Sequence, residues 1–473
     1  MTSGMNFWDV PVWSFVVTMT ILFAAMMIAN TLRNLIKPLR KLMIPSAVLG
    51  GFIVLLADFF WKKLTGSSMF ASSTLETLTY HGLGLGFVAM SLRSVEKTRE
   101  NHLRRSAFDS GVLVVATYLL QGILGLVITV ALYYLLDSFF ASGLLLPMGF
   151  GQGPGQAYNW GRTYENMFGF VNGTSFGLTV AAMGFVSASI GGVVYLNVLR
   201  RRGQFKGETG NIVTDEDLTA HTITGKGEIP LTEAMDKFTI QLALVFIAYI
   251  LAFLFMKGMN VIINTGAFGD FGFNTVQPLI WGFNFLFGTI FALLLKAVLQ
   301  ALKKKGVIKR EYMNNFLQNR ISGFMFDMMV VASIAAIDLS AFQYRKFIIP
   351  LVVLCVVGAA VTYWYLGIVC KRVYPGYRHQ AFLMMYGMLT GTASTGIILL
   401  REMDPQFQTP AAADLVNLQP WAIVFGFPML LMLSYAPQSV GKSLITAVVM
   451  IVLFVIMNLI ALRRDIFKKK KKT

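Results

Sequence analysis

Apolar residues run through this chain in long blocks separated by short basic segments. Eleven blocks have about the twenty residues needed to cross a hydrocarbon core of about 30 Å. They lie at about 11–32, 43–61, 77–92, 107–136, 173–199, 238–257, 276–301, 320–340, 347–370, 417–435 and 441–462. Two further apolar stretches are broken by glycine. One, at about 142–170, contains GFGQGPGQA; the other, at about 381–404, contains YGMLTGTASTG. Main chain that is not helical at membrane depth leaves amides and carbonyls without partners, each costing several kcal/mol. It is tolerated where it is buried in protein or lines a polar cavity. The pattern therefore predicts an all-α polytopic membrane protein with two re-entrant hairpins, between spans four and five and between spans nine and ten.

The basic residues order these spans. With the N-terminus outside, the segments 33–42, 93–106, 200–237, 302–320, 371–378 and 463–473 fall inside and hold 31 of the 40 Lys and Arg. Six lie outside, and the positive-inside rule makes that asymmetry an orientation. It requires each hairpin to return to the side it entered from. The expected organisation is a first repeat at 1–202, a polar cytoplasmic linker at 203–236, a second repeat at 237–436, and an extra eleventh helix with a basic tail at 437–473. Five spans per half is an odd number, so the halves face opposite ways: an inverted repeat of five helices plus a hairpin.

Composition narrows the class. Hydrophobic residues make up 56% and charged residues 13%, about half the charge of a soluble protein. The net charge of +17 would point to nucleic acid in a soluble chain; here it sits at span ends, and no nucleic-acid partner is expected. The run of lysines at 468–472 reads as an anchor to anionic lipid. Cys355 and Cys370 belong to one span and imply no disulfide framework. The first apolar block has no basic residue before it and runs to spanning length, so no cleavable signal peptide is expected. There is no HExxH, GxSxG or Walker motif, and a carrier is expected rather than an enzyme.

The candidate chemistry gathers at the interruptions. In the first, Gly149, Gly151, Gly153 and Gly155 recur at a spacing that does not keep to one helix face, and glycine lets a ligand approach main-chain amides closely. Gln152, Gln156 and Asn159 add neutral polar groups. The alternative is that these glycines serve only close helix packing. In the second, Thr390, Thr392, Ser394 and Thr395 surround Gly387, Gly391 and Gly396. Hydroxyl and carbonyl oxygens suit a hard monovalent cation, although Ser and Thr in apolar helices also bond back to their own backbone. Asp327 lies near the middle of span eight, where a charge costs about 2.5–3.5 kcal/mol on insertion scales, and is expected to be a cation ligand or a proton carrier unless a neighbouring donor makes it structural. Gln121, near the centre of span four, is either an ion ligand or glue between helices. Arg162 and Arg401 follow the two loops and could meet a substrate carboxylate or reach to the surface. Gly184, Ala188 and Gly192 read as a packing seam.

On these residues the chain resembles the sodium:glutamate symporter family of bacteria. The resemblance is carried by IPSAVLGG (44–51), Gln121, GFGQGPGQAYNWG (149–161), SIGGVV (189–194) and GTASTG (391–396). Departures are Gln152, where some members have His, the lack of His in the second hairpin, and the eleventh span. The resemblance implies re-entrant loops that meet near the midplane. It further implies sodium-coupled uptake of glutamate or a similar small carboxylate, sodium as the coupling ion with no other cofactor, a homodimer, and a place in the bacterial plasma membrane. A proton- or sodium-coupled carrier of another solute, such as a dicarboxylate, and an ion channel are the other readings open to such a chain.

Overall fold

The computed structural model describes residues 6–93, 101–204, 236–405 and 408–470, and among these every regular element is helical. Most of the expected linker, at 205–235, and the last residues of the lysine tail, at 471–473, lie outside the described residues.

The first part of the chain forms α1 (Val10–Leu35), α2 (Lys37–Leu42), α3 (Ser46–Thr65), α4 (Ser72–Leu92) and α5 (Asn101–Leu136). Two short helices follow, α6 (Leu145–Phe150) and α7 (Pro154–Phe168), and then the long α8 (Gly173–Arg201). After the linker come α9 (Lys237–Asn264), α10 (Gly269–Phe271), α11 (Gln277–Gly282), α12 (Asn284–Lys304), α13 (Asn315–Ala335) and α14 (Arg345–Val373). A second pair of short helices, α15 (Arg378–Thr390) and α16 (Ala393–Arg401), precedes α17 (Ala411–Asn417), α18 (Gln419–Tyr435) and α19 (Val440–Lys470). All eleven expected spans fall on helices. Among the described residues eight helices are long and apolar enough to cross a membrane, the build of a helical membrane protein. The span expected at 276–301 is broken at Phe283, so α11 and α12 share it.

Local sequence explains the ends. Pro38 stops α1 from continuing, because it offers no amide and restricts the residue before it. Gly66 closes α3 in the left-handed region, at φ +79°, which glycine adopts without a Cβ clash. The Asp236 carboxylate accepts from the Phe238 and Thr239 amides and starts α9.

The chain divides into two compact units, and each contains helices from both halves. One holds Thr77–Lys97 and Ile212–Val330, hence most of α4 and α13 with α9–α12. Its core is made by Leu85, Val88, Ala89 and Leu92 of α4 packed with Val245 and Ala248 of α9, Ala292 of α12 and Ile321 of α13. The other unit, Met1–Glu76, Thr98–Asn211 and Val331–Thr473, carries both glycine interruptions. Its inner helices are α5 and α8: the most apolar stretch is 72% buried in α5 and 67% in α8, against 22% in α1.

Candidate functional site

Both interruptions are helix–break–helix hairpins. The first descends through a 3₁₀ turn (Ser142–Leu144) and α6, breaks at residues 151–153, and returns as α7. Gly153 holds the break at φ +83°, a conformation that favours glycine, and Pro154 opens α7 where its missing amide costs nothing. The hairpin closes at its foot, where the Phe139 ring stacks on Phe170 at 4.6 Å and lies 5.8 Å from Tyr164. The second descends as α15, breaks at Gly391 and Thr392, and returns as α16. Its arms touch main chain to main chain, since a Cβ on Gly387 would sit 2.7 Å from the Gly396 Cα.

Helix α8 carries both hairpins in succession. A Cβ on Gly177 would meet the Ala157 carbonyl at 2.2 Å, and one on Gly161 would meet that of Gly173 at 2.4 Å, so α7 lies along its first half. Farther on, a Cβ on Gly184 would lie 2.3 Å from the Thr390 carbonyl, and one on Gly192 would lie 2.4 Å from the Leu399 side chain. Tyr195 then stacks on Phe382 at 3.9 Å. The expected seam at Gly184, Ala188 and Gly192 is thus the bed of the second hairpin. Gly173 and Gly184 are eleven positions apart, as are Gly184 and Tyr195, which is about 16 Å each way. Each hairpin is therefore laid along about 16 Å of α8.

The tips meet. A Cβ on Gly153 would sit 3.1 Å from the Thr392 methyl group. At that point α7 and α16 begin, and neither N-cap residue makes a side-chain cap hydrogen bond. The first-turn amides of a helix carry partial positive charge, so two such ends side by side favour a negative group.

The opposite ends, where α6 and α15 finish, are treated differently. The Tyr118 hydroxyl of α5 donates to the Gly151 carbonyl at 3.1 Å. One turn along α5, Gln121 Nε2 donates to the Leu389 carbonyl at 2.9 Å and to Thr362 Oγ1 at 3.1 Å. Gln121 Oε1 is buried and has no hydrogen-bond partner among the described residues.

The remaining candidates divide by place. Gly151, Gly153 and Gly155 are buried at the first break, with Gln152 partly exposed; Gln156 and Asn159 are buried on the following turns of α7. At the second break Gly391 and Thr395 are buried, Thr392 is partly exposed and Ser394 is exposed. The Thr392 and Thr395 hydroxyls are 3.4 Å apart, whereas Thr390 bonds back to the Tyr386 carbonyl at 2.6 Å. Three candidates are not at the tips. Arg162 is half exposed and pairs with Glu76 at 3.7 Å, beside the Tyr158 hydroxyl that donates to the same carboxylate at 2.9 Å. Arg401 is the exposed last residue of α16. Asp327 is an exposed residue of α13, in the unit that does not carry the hairpins. Among the described residues no three His, Cys, Asp or Glu side chains gather to hold a metal ion. The ligands the tips offer an ion are therefore hydroxyl, amide and main-chain carbonyl oxygens.

Sequence reasoning passed over Tyr118, Thr362 and Glu76. Tyr118 and Gln121 stand three apart within span four, a spacing that puts both on one helix face, and that spacing was the available signal. Comparison with protein-family models and with curated proteins finds no match to this chain.

Proposed function

We propose that this chain is a secondary active transporter that couples sodium entry to uptake of glutamate or a similar small carboxylate. The observation that carries the reading is the meeting of two broken helices at Gly153 and Thr392, with the starts of α7 and α16 side by side. Two amide ends at one point suit a carboxylate, and the hydroxyls of Thr392 and Thr395 beside them suit a dehydrated cation.

In this reading the protein lies in the bacterial plasma membrane as a homodimer, with its N-terminus outside and its basic tail in the cytoplasm. Spans one to five with the first hairpin and spans six to ten with the second are inverted copies, and the hairpins are re-entrant from opposite sides. Substrate and ion bind at the tips, and a rearrangement opens the tips to each side in turn. Each net positive charge carried inward through 100 mV gains about 2.3 kcal/mol, so two or more sodium ions per singly charged anion drive accumulation.

The test is uptake of labelled glutamate by purified protein in liposomes. An inward sodium gradient is expected to drive accumulation that a panel of carboxylates competes for. Uptake driven equally by a proton gradient without sodium would move the coupling to protons. Unsaturable ion conductance with no solute uptake would make the protein a channel.

A further inference from the structure

The hairpins present four helix ends near one another, two of each sign. Partial negative charge gathers at the carbonyl ends of α6 and α15 and partial positive charge at the amide ends of α7 and α16. Left alone, the two signs would largely cancel for any bound group. The protein breaks this balance from a single turn of α5. Tyr118 gives its hydroxyl proton to the Gly151 carbonyl at 3.1 Å, and Gln121 gives an amide proton to the Leu389 carbonyl at 2.9 Å. Both side chains are buried, Tyr118 at 8% and Gln121 at 1% exposure, so water does not compete on equal terms for these bonds. At the amide ends the N-cap residues are Gly153, which has no side chain to offer, and Thr392, whose side chain makes no cap hydrogen bond.

The geometry points to Tyr118 and Gln121 as the positioning residues that set the charge preference of the transport site: each gives a proton to a carbonyl at the end of one half-helix, Gly151 or Leu389, which weakens the carbonyl ends and tips the balance toward the amide ends. The inference rests on the transport reading and adds to it that anion selectivity is imposed from α5, by hydroxyl and amide donors that never touch the substrate. It also accounts for a carboxylate site that has no arginine at its tips, since Arg162 pairs with Glu76 and Arg401 ends α16.

The experiment compares glutamate with its two monoamides, glutamine and isoglutamine, as competitors of glutamate uptake. In Tyr118→Phe the ring stays and the Gly151 carbonyl loses its donor. The preference for glutamate over one monoamide, the one whose amide replaces the carboxylate at the tips, is expected to fall about fivefold, the worth of one buried hydrogen bond. Gln121→Met is expected to lower the same ratio through Leu389. A ratio needs only the folded fraction of the protein, so lower yield does not affect it. Equal losses for all three ligands, which a merely structural role would give, would overturn the inference, as would an unchanged ratio in both variants. Wild-type liposomes that take up no carboxylate would sink the transport reading instead; binding of the three ligands to purified protein would then decide the capping role by the same ratio.

Discussion

Gly184 of α8 lies so close to Thr390 that a single added methyl would sit 2.3 Å from its carbonyl oxygen. The neighbour there is backbone at the last turn of α15, and it cannot swing away as a side chain can. Gly184→Ala is therefore expected to push the second hairpin off its bed, at a cost of about 1–3 kcal/mol, and to cut uptake at least tenfold. Gly258→Ala in α9, where nothing lies within 4 Å, is the control and is expected to leave uptake unchanged and not to lower the melting temperature. Thermal melting in detergent with parallel uptake reads both.

Arg463 of α19 reaches Asp109 of α5 at 2.7 Å and lies over the Phe108 ring at 5.2 Å. Asp109 is buried, so taking the guanidinium away weakens the solvation of a carboxylate that water barely reaches. Arg463→Ala is expected to destabilise the protein by about 1–3 kcal/mol, discounted because the arginine itself is a third exposed. A double-mutant cycle with Asp109→Asn measures the pair. Additive losses would mean that this ion pair contributes nothing to holding α19.

The foot of the second hairpin is expected to be sensitive to pH. Arg378 Nε donates to His379 Nε2 at 3.1 Å, which leaves Nδ1 to carry the proton and donate to the Tyr195 hydroxyl at 2.8 Å. Burial, then the charges of Arg378 and Lys371, hold His379 below its ordinary value of 6.5. The folded protein thus resists a proton that the unfolded chain accepts, so stability is complete above about pH 6.5 and is lost as pH falls below it. Melting temperature is expected to drop between pH 7.5 and 5.5, and His379→Gln to flatten that drop. An equally steep drop in the variant would assign the pH dependence to other groups.

Arg162 is expected to be dispensable for substrate binding. It stands eight positions past Pro154, about 12 Å along α7, and engages Glu76. Arg162→Gln should keep the KM for glutamate within about twofold while lowering melting temperature slightly, as exposed pairs do. A tenfold rise in KM would place the arginine at the cargo after all.

Most spans were legible because a block of apolar residues is what a long buried or lipid-facing helix requires: all eleven blocks fall on helices, one of them shared by α11 and α12, and among the described residues eight helices are long and apolar enough to cross a membrane. The two breaks were legible because glycine and proline punctuate α-helix irrespective of tertiary context, and they fall at residues 151–153 and 391–392, within the segments marked by sequence. What distance along the chain could not convey is which way a side chain travels after a break. Arg162 looks close to the first loop in sequence, yet two turns of α7 carry it to Glu76. Tyr118 looks like ordinary apolar filling in span four, and only the descent of α6 beside α5 brings the Gly151 carbonyl to its hydroxyl. Thr362 was silent for the same reason, since its partner Gln121 is 241 residues away.

One continuous rod, α8, measures the depth of both loops. Because both hairpins are seated on the same rod, with Phe150 of the first and Thr390 of the second meeting it together at Gly184, the gap between their points is set by a helix and not by any flexible joint. One residue added between Ala181 and Gly184 would turn the second hairpin's seat about 100° relative to the seat of α7 and lengthen the rod by about 1.5 Å. Such a phase error would part the two points while leaving every contact within each hairpin intact.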